Sequence, residues 1–186
     1  MLSDYKNSVH IVIDIETLGT RPGCPILSIG AVKMYNGILE WQQEFFASLG
    51  SNARLGLNEI GVETLRWWEE KHPEQFRRLQ ANSENRELSD ALEDLNQFCN
   101  PIVQKTAPHY FWSKHPHFDF PILEAAYEAI GKPPPWKYWQ IRDIATLEDK
   151  LFTAREPELN NHDALLDAIN EANVLIDVVW GDEHDR

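Results

Sequence analysis

The sequence predicts an α/β domain built on a mixed β-sheet. Three observations carry this. A β-branched, almost wholly apolar run opens the chain at residues 9–15. Two further β-rich segments follow, joined by a hairpin signal. Beyond residue 60 the apolar pattern changes to helical spacing, with one more short strand between helices. Three antiparallel strands, then helices, then alternating strand and helix, make a mixed sheet covered by helices.

Each element has its own justification. Residues 9–15 read as the first strand. "CPILSIGAVKMY" (24–35) and "ILEWQQEFFA" (38–47) read as the second and third, with "YNG" turning between them. "SNARLGLNEIG" is a loop. "VETLRWWEEKHPEQFRRLQ" (62–80) is helical and breaks at Pro73, whose ring cannot continue a helix. "ANSENRE" is a polar connector. "LSDALEDLNQFCN" (88–100) is an amphipathic helix with Ser89 as N-cap and Leu88, Leu92, Leu95 and Phe98 on one stripe. "HYFWS" (109–113) is a short strand. "FDFPILEAAYEAIG" (118–131) is a helix with Pro121 in its first turn and Gly131 at its stop. "KPPPWKYW" is a stiff extended connector, and "RDIATLEDKLF" carries a short helix. "NNHDALLDAINEANVLIDVVW" closes the chain as a long helix before a frayed tail. No repeat, low-complexity tract or domain boundary interrupts the 186 residues, so one domain over 1–186 is expected, with its core at about 9–178.

Charge and composition narrow the function. The formal net charge is −13, from 17 basic and 30 acidic residues. That balance argues against a protein that grips nucleic acid through a broad basic surface, because phosphate contacts draw on Lys and Arg. It does not argue against an enzyme that touches a few nucleotides, with bound divalent cations supplying local positive charge. No apolar run approaches the ~20 residues of a membrane span, and the N-terminus lacks the apolar core of a signal peptide. The two cysteines, Cys24 and Cys99, have no metal-ligand spacing. A cytoplasmic protein with free thiols is the expectation.

The acidic residues raise the chemical question. Asp14 and Glu16 lie two apart on the first strand, so they point to one face. Two close carboxylates repel until one takes a proton or a cation sits between them. Taken singly, each feature has a plain explanation: solvated strand-end acids, a helix-start charge at Asp119, a helix cap at His162 and Asp163. His162 and Asp167 are five residues apart, about 140° around a helix of ~3.6 residues per turn. Asp163 and Asp167, four apart, share a face.

Their order along the chain resembles the DEDDh branch of the DEDD superfamily of 3′-5′ exonucleases. The D-x-E-T motif matches Asp14, Glu16 and Thr17; the second motif's aspartate matches Asp119; the third motif's histidine and aspartate match His162 and Asp167. The likeness runs from about residue 9 to 178. "TLRWW" (64–68) and Trp112 are similar to a small bacterial and phage group containing exoribonuclease-like and exodeoxyribonuclease members. One departure is His115 and His117 before Asp119, where many members carry Asn or Gly.

The resemblance implies a ribonuclease H-like fold and metal-dependent release of nucleotides from a 3′ end. Two ions about 3.5–4 Å apart activate water and stabilise the leaving oxygen in such hydrolysis, and hard Mg²⁺ or Mn²⁺ suits an all-carboxylate set. It further implies that Asp14 bridges both ions, Glu16 and Asp167 complete the nucleophile-side ion, Asp119 serves the other, and His162 is the general base. Thr17 and Leu18 are implied to touch the terminal nucleotide. An unperturbed imidazole pKa near ~6.5 suits the base role. Asp163 reads as helix-start charge and Asp143 as structural.

Three substrate contacts are read from residue type. Trp67 and Trp68 are adjacent, so a helix buries them unequally; one is core, and the other either stacks a base or packs in the core as well. Arg66 is either a phosphate contact or a solvated charge. His115 and His117 lack a third soft ligand, which argues against zinc. The sequence does not choose RNA or DNA; it favours single-stranded or overhanging ends, and its aromatic content permits a homodimer. The alternatives are an HD-type phosphohydrolase, opposed by the β-rich start; a proofreading subunit, opposed by the lack of a docking tail; and an inactive nuclease fold that only binds nucleic acid.

Overall fold

The computed structural model describes residues 3–50, 60–81, 86–100, 107–147 and 162–184. Most of the loop read at 51–61, much of the connector read at 81–87, the far end of "RDIATLEDKLF" and the last two residues of the tail lie outside them.

The five strands are β1 (Val9–Thr17), β2 (Ile26–Tyr35), β3 (Ile38–Ser48), β4 (His109–Ser113) and β5 (Ile141–Asp143), in the sheet order β3-β2-β1-β4-β5. β1, β2 and β3 pair antiparallel, while β4 runs parallel to β1 and β5 parallel to β4. The sheet is therefore mixed, as predicted. The β2–β3 turn has Asn36 and Gly37 both at positive φ (54° and 73°), the geometry that a two-residue hairpin of matching twist requires.

The helices are α1 (Ser3–Lys6), α2 (Val62–Lys71), α3 (Pro73–Ala81), α4 (Leu88–Cys99), α5 (Pro116–Ala129) and α6 (Ala164–His184). Among the described residues no helix is long and apolar enough to cross a membrane. Alternation along β1 divides the core. Ile11, Ile13 and Ile15 pack with Leu92 and Leu95 of α4 and Ile122, Leu123 and Ala126 of α5. Val12, on the opposite face, packs with Trp112 and with Ala168, Ala172 and Leu175 of α6. Each such fully buried aliphatic chain contributes about 1.5–3 kcal/mol. His10 lies on this second face, its Nε2 2.8 Å from the Tyr5 carbonyl and its Nδ1 accepting from Trp112 Nε1 at 3.0 Å. Trp112 is thus a core residue.

Several local expectations are corrected. α4 starts at Leu88, with extended Glu87 as its N-cap and no side-chain cap, so Ser89 is already inside the helix. α5 starts at Pro116 rather than 118. Pro116 takes the first-turn place that suits a residue without N–H, and Pro121 falls in the interior. "RDIATLEDKLF" does carry a short helical stretch, at 145–147, but Ile141–Asp143 just before it form strand β5, which the sequence reading did not give. Three residues are too few for a readable alternation; pairing with β4 makes the strand. The connector before it is not simply extended, since Tyr138–Gln140 form a 3₁₀ turn.

Gly30 fixes how α6 meets the sheet. It is paired with Asp14, and a Cβ on it would lie 2.2 Å from the backbone of Ala164. The missing side chain lets the start of α6 lie directly on β2, which carries Asp167 toward the β1 acids. Gly30→Ala should therefore force α6 outward, at an overpacking cost of about 1–3 kcal/mol. A melting-temperature drop on the order of 5 °C, with loss of hydrolysis, is the expected result. An unchanged melting temperature and rate would show that the contact is not limiting.

Candidate active site

The acids meet where the carboxyl end of β1, the start of α5 and the start of α6 converge. Carboxylate oxygens of Asp14, Glu16 and Asp167 all lie within 4.8 Å of one another. At an effective dielectric constant of about 20, two like charges that close repel by at least about 3 kcal/mol. The acids respond accordingly. Burial, then Asp167, pushes Glu16 up to about 8. Burial pushes Asp119 up to about 7. Asp14 is raised well above the carboxylate range by burial, then by Asp119 and Glu171.

Glu171 is a fifth acid that the sequence reading missed. It is buried on α6, one helical turn beyond Asp167, and its Oε2 accepts the Lys114 N–H at 3.0 Å. Burial, then Asp119, raises it well above its ordinary value. The signal was available: 163, 167 and 171 repeat at four-residue spacing, which places acids on one helix face. Asp143 accepts the next N–H, that of His115, at 3.3 Å, and also binds Ala145 N and Thr146 Oγ1. Two carboxylates from separate elements thus hold the β4–α5 corner that delivers Asp119. His115 stands there at φ 67°, and His115 and His117 are both solvent-exposed.

His162 precedes α6 at φ 48°, a left-handed conformation uncommon outside glycine. Asp163 follows and caps the helix, its Oδ1 accepting from Leu165 N at 3.2 Å and Leu166 N at 3.3 Å. The Nδ1 of His162 lies 3.8 Å from Glu16 Oε1. Its ring centroid is 4.1 Å from that of His72 and 4.7 Å from that of Trp67. Its carbonyl accepts from Gln75 Nε2 at 3.0 Å. The α2–α3 corner therefore holds both ring and peptide of His162. No sequence signal links residues so far apart in the chain. Burial, then the charge of His72, lowers the His162 imidazole to about 4. That corrects the unperturbed value and leaves the ring neutral, able to accept a proton, at physiological pH.

The proposed substrate contacts separate into two groups. Thr17 and Leu18 are buried and engaged in the fold. Thr17 Oγ1 donates to the Gly19 carbonyl at 2.7 Å, and Leu18 packs with Leu27, Trp68, Phe76 and Leu79. Trp68 is 1% exposed and donates from Nε1 to the Thr17 carbonyl at 2.9 Å, so it is the core member of the tryptophan pair. Trp67, 38% exposed, stands beside His162 and also touches the His72 ring. Arg66 is exposed on α2.

The acids fit a divalent cation: oxygen-only donors, close spacing and raised proton affinity mark charge that lacks compensation. A pH signature follows. Glu16 and Asp119 hold protons in the fold that they release in the unfolded chain, so they cost stability as pH rises toward 8. His10 and His162, both lowered to about 4, act oppositely, but only below about 6.5. Metal-free protein should lose on the order of 5 °C in melting temperature between pH 6.5 and 8, and Mg²⁺ or Mn²⁺ should restore it at pH 8. A flat profile in calorimetry, or no response to metal, would contradict the acid cluster as described.

The chain is similar to several known proteins. A family model described as the 3′-5′ exoribonuclease Rv2179c-like domain matches residues 9–180. An exodeoxyribonuclease of enterobacteria phage T4 is 24% identical over 166 residues, covering 78% of this chain and 73% of that protein. Among solved structures, E. coli exonuclease I in complex with a dT13 oligonucleotide superposes with a TM-score of 0.65 at 11% identity, over 96% of this chain and 43% of that one. S. pombe Pop2p, in a form with Mg²⁺ and Mn²⁺ bound, superposes with a TM-score of 0.57 at 16% identity, over 95% and 84%. The chain thus spans less than half of exonuclease I, and the shared part is the ribonuclease H-like exonuclease fold. Matched across nearly its whole length, the chain belongs to the family of 3′-5′ exoribonuclease Rv2179c-like domains and is a 3′-5′ exonuclease.

Proposed function

We propose that the chain removes nucleotides from single-stranded or overhanging 3′ ends of RNA or DNA in a divalent-metal-dependent reaction, with His162 as general base. The observation that carries this is the meeting of Asp14, Glu16 and Asp167 within 4.8 Å, with His162 Nδ1 3.8 Å from Glu16. Asp14, Glu16 and Asp167 would hold one Mg²⁺ or Mn²⁺, and Asp14 with Asp119 a second. Bound there, the ions supply the positive charge that lowers the pKa of water and stabilises a departing 3′-oxygen. His162, neutral beside Glu16, takes the proton of the attacking water. The α2–α3 corner keeps its ring oriented through His72 and Gln75. Trp67, partly exposed beside His162, stacks the base at the mouth of the site. The E. coli and S. pombe structures, one with an oligonucleotide and one with both metals, support this reading.

The test is a time course on matched RNA and DNA with 3′ overhangs, labelled at the 5′ end, with Mg²⁺, Mn²⁺ or chelator. A metal-dependent ladder that shortens from the 3′ end is expected, and the faster sugar identifies the preferred substrate. No cleavage of either by folded, metal-loaded protein would favour the inactive binding fold.

A further inference from the structure

We propose that Tyr138, Trp139 and Lys137 form a second contact for single-stranded nucleic acid, which holds the strand upstream of the 3′ end being cut. The proposal rests on the single-stranded substrate reading above.

Tyr138 is 81% exposed and Trp139 59%, and their rings stand 5.0 Å apart at 88°. Exposed aromatics on a floppy loop would mean little. These sit on a clamped turn. Gln140 Oε1 accepts the Lys137 N–H at 2.8 Å, and Gln140 Nε2 donates to the His109 carbonyl at 3.1 Å. Arg142 donates to the Trp139 carbonyl at 2.7 Å and to Tyr5 Oη at 3.1 Å. Just upstream, Trp136 is buried and its Nε1 donates to Glu124 at 3.1 Å. The backbone is thus fixed on both sides while two large rings face water, an arrangement that adds nothing to the core.

Charge selects the occupant. Residues 131–142 contain Lys132, Lys137 and Arg142 and no acid, in a chain with 30 acids and 17 bases. Lys132 pairs with Glu93, and Arg142 is occupied within the fold. Lys137 is exposed beside the two rings. A cation next to open aromatic faces suits a strand of bases and phosphates, because every base can stack regardless of sequence and a phosphate pairs with the ammonium. The location suits it too. The turn leads into β5, two strands from β1, and by register Trp139 lies about five residues below the level of Asp14. With strands ~4.8 Å apart and a rise of ~3.3 Å per residue, the separation is about 20 Å. A stacked strand at ~3.4 Å per nucleotide covers that in about six nucleotides.

The test compares steady-state hydrolysis of a trinucleotide and a twelve-nucleotide strand by the wild type, a Tyr138→Ala/Trp139→Ala double variant and Lys137→Glu, with sedimentation of each protein. The wild type should show a KM about tenfold lower on the longer strand, the size of one stacked base. The double variant should lose that advantage while its trinucleotide kinetics and kcat stay unchanged. Lys137→Glu should lose part of it and flatten its dependence on salt. Equal KM values on the two strands in the wild type, an intact length advantage in the double variant, or equal damage on both substrates would overturn the proposal. So would a wild-type dimer that the double variant converts to monomers, which would assign the patch to a second copy of the chain. Failure of every protein to cut either strand would instead overturn the substrate reading on which this contact depends.

Discussion

Asp14→Asn should reduce hydrolysis by at least about 10³-fold, while the metal-free protein keeps or gains stability. Asp14 has four neighbours of like charge: Asp119, Glu171, Glu16 and Asp167 all raise its proton affinity. The amide has the same shape and no charge, so the substitution removes repulsion without opening a cavity. What it also removes is the anion that a divalent ion needs. A ligand at a hundred times its Kd stabilises a fold by about 2.7 kcal/mol, and that increment should disappear from the Mg²⁺ titration of the variant. The informative result is the pairing of lost metal response with preserved folding, read by calorimetry beside activity. If Asp14→Asn unfolded the chain, Asp14 would be a structural residue. If it left the rate within tenfold of wild type, the carboxylates would not form the reactive centre.

The parts of the fold that the sequence declared are those with strong local patterns. Ile11, Val12 and Ile13 announce a central strand, and Asn36-Gly37 announces the β2–β3 hairpin. Strand β5 stayed hidden because its three residues acquire their state from Ser113 and its neighbours on β4. The site divides in the same way. Asp14, Glu16, Asp119, His162 and Asp167 were legible through their motif order, and the structure gathers them. Glu171 was legible in principle from four-residue spacing, but a motif that ends at Asp167 draws no attention beyond it. His72 and Gln75 were not legible at all. Their role exists only because α2 and α3 fold back over the start of α6, a tertiary fact with no local trace. Even within "WW" the sequence could say that burial is unequal; the hydrogen bond from Trp68 to Thr17 decides which ring is inside.

His162→Ala should lower kcat by about 10²–10⁴-fold, the contribution of a positioned general base, and leave KM within a few-fold. The reason lies in what the ring touches. It does not support the core: it stands at the head of α6, wedged between His72 and Trp67, and Asp163 caps the helix without it. Helix and acid cluster should therefore survive its removal, and so should binding of the strand. The proton acceptor beside Glu16 is lost. A drop in kcat at constant KM identifies an interaction made in the transition state, whereas a rise in KM alone would make His162 a substrate contact. His72→Ala separates orientation from chemistry. It leaves the imidazole of His162 in place but takes away the ring 4.1 Å from it and the charge that helps keep it unprotonated. An intermediate loss of kcat, on the order of tenfold, is expected, with the acid limb of the kcat profile moved to higher pH because His162 then protonates more readily. His72→Phe should restore most of the rate through packing while the shifted limb remains. Equal, severe losses in His72→Ala and His162→Ala would point to collapse of the α2–α3 corner. Full activity in His162→Ala would leave the proton to bulk water or to a carboxylate, and the histidine would have no part in the chemistry.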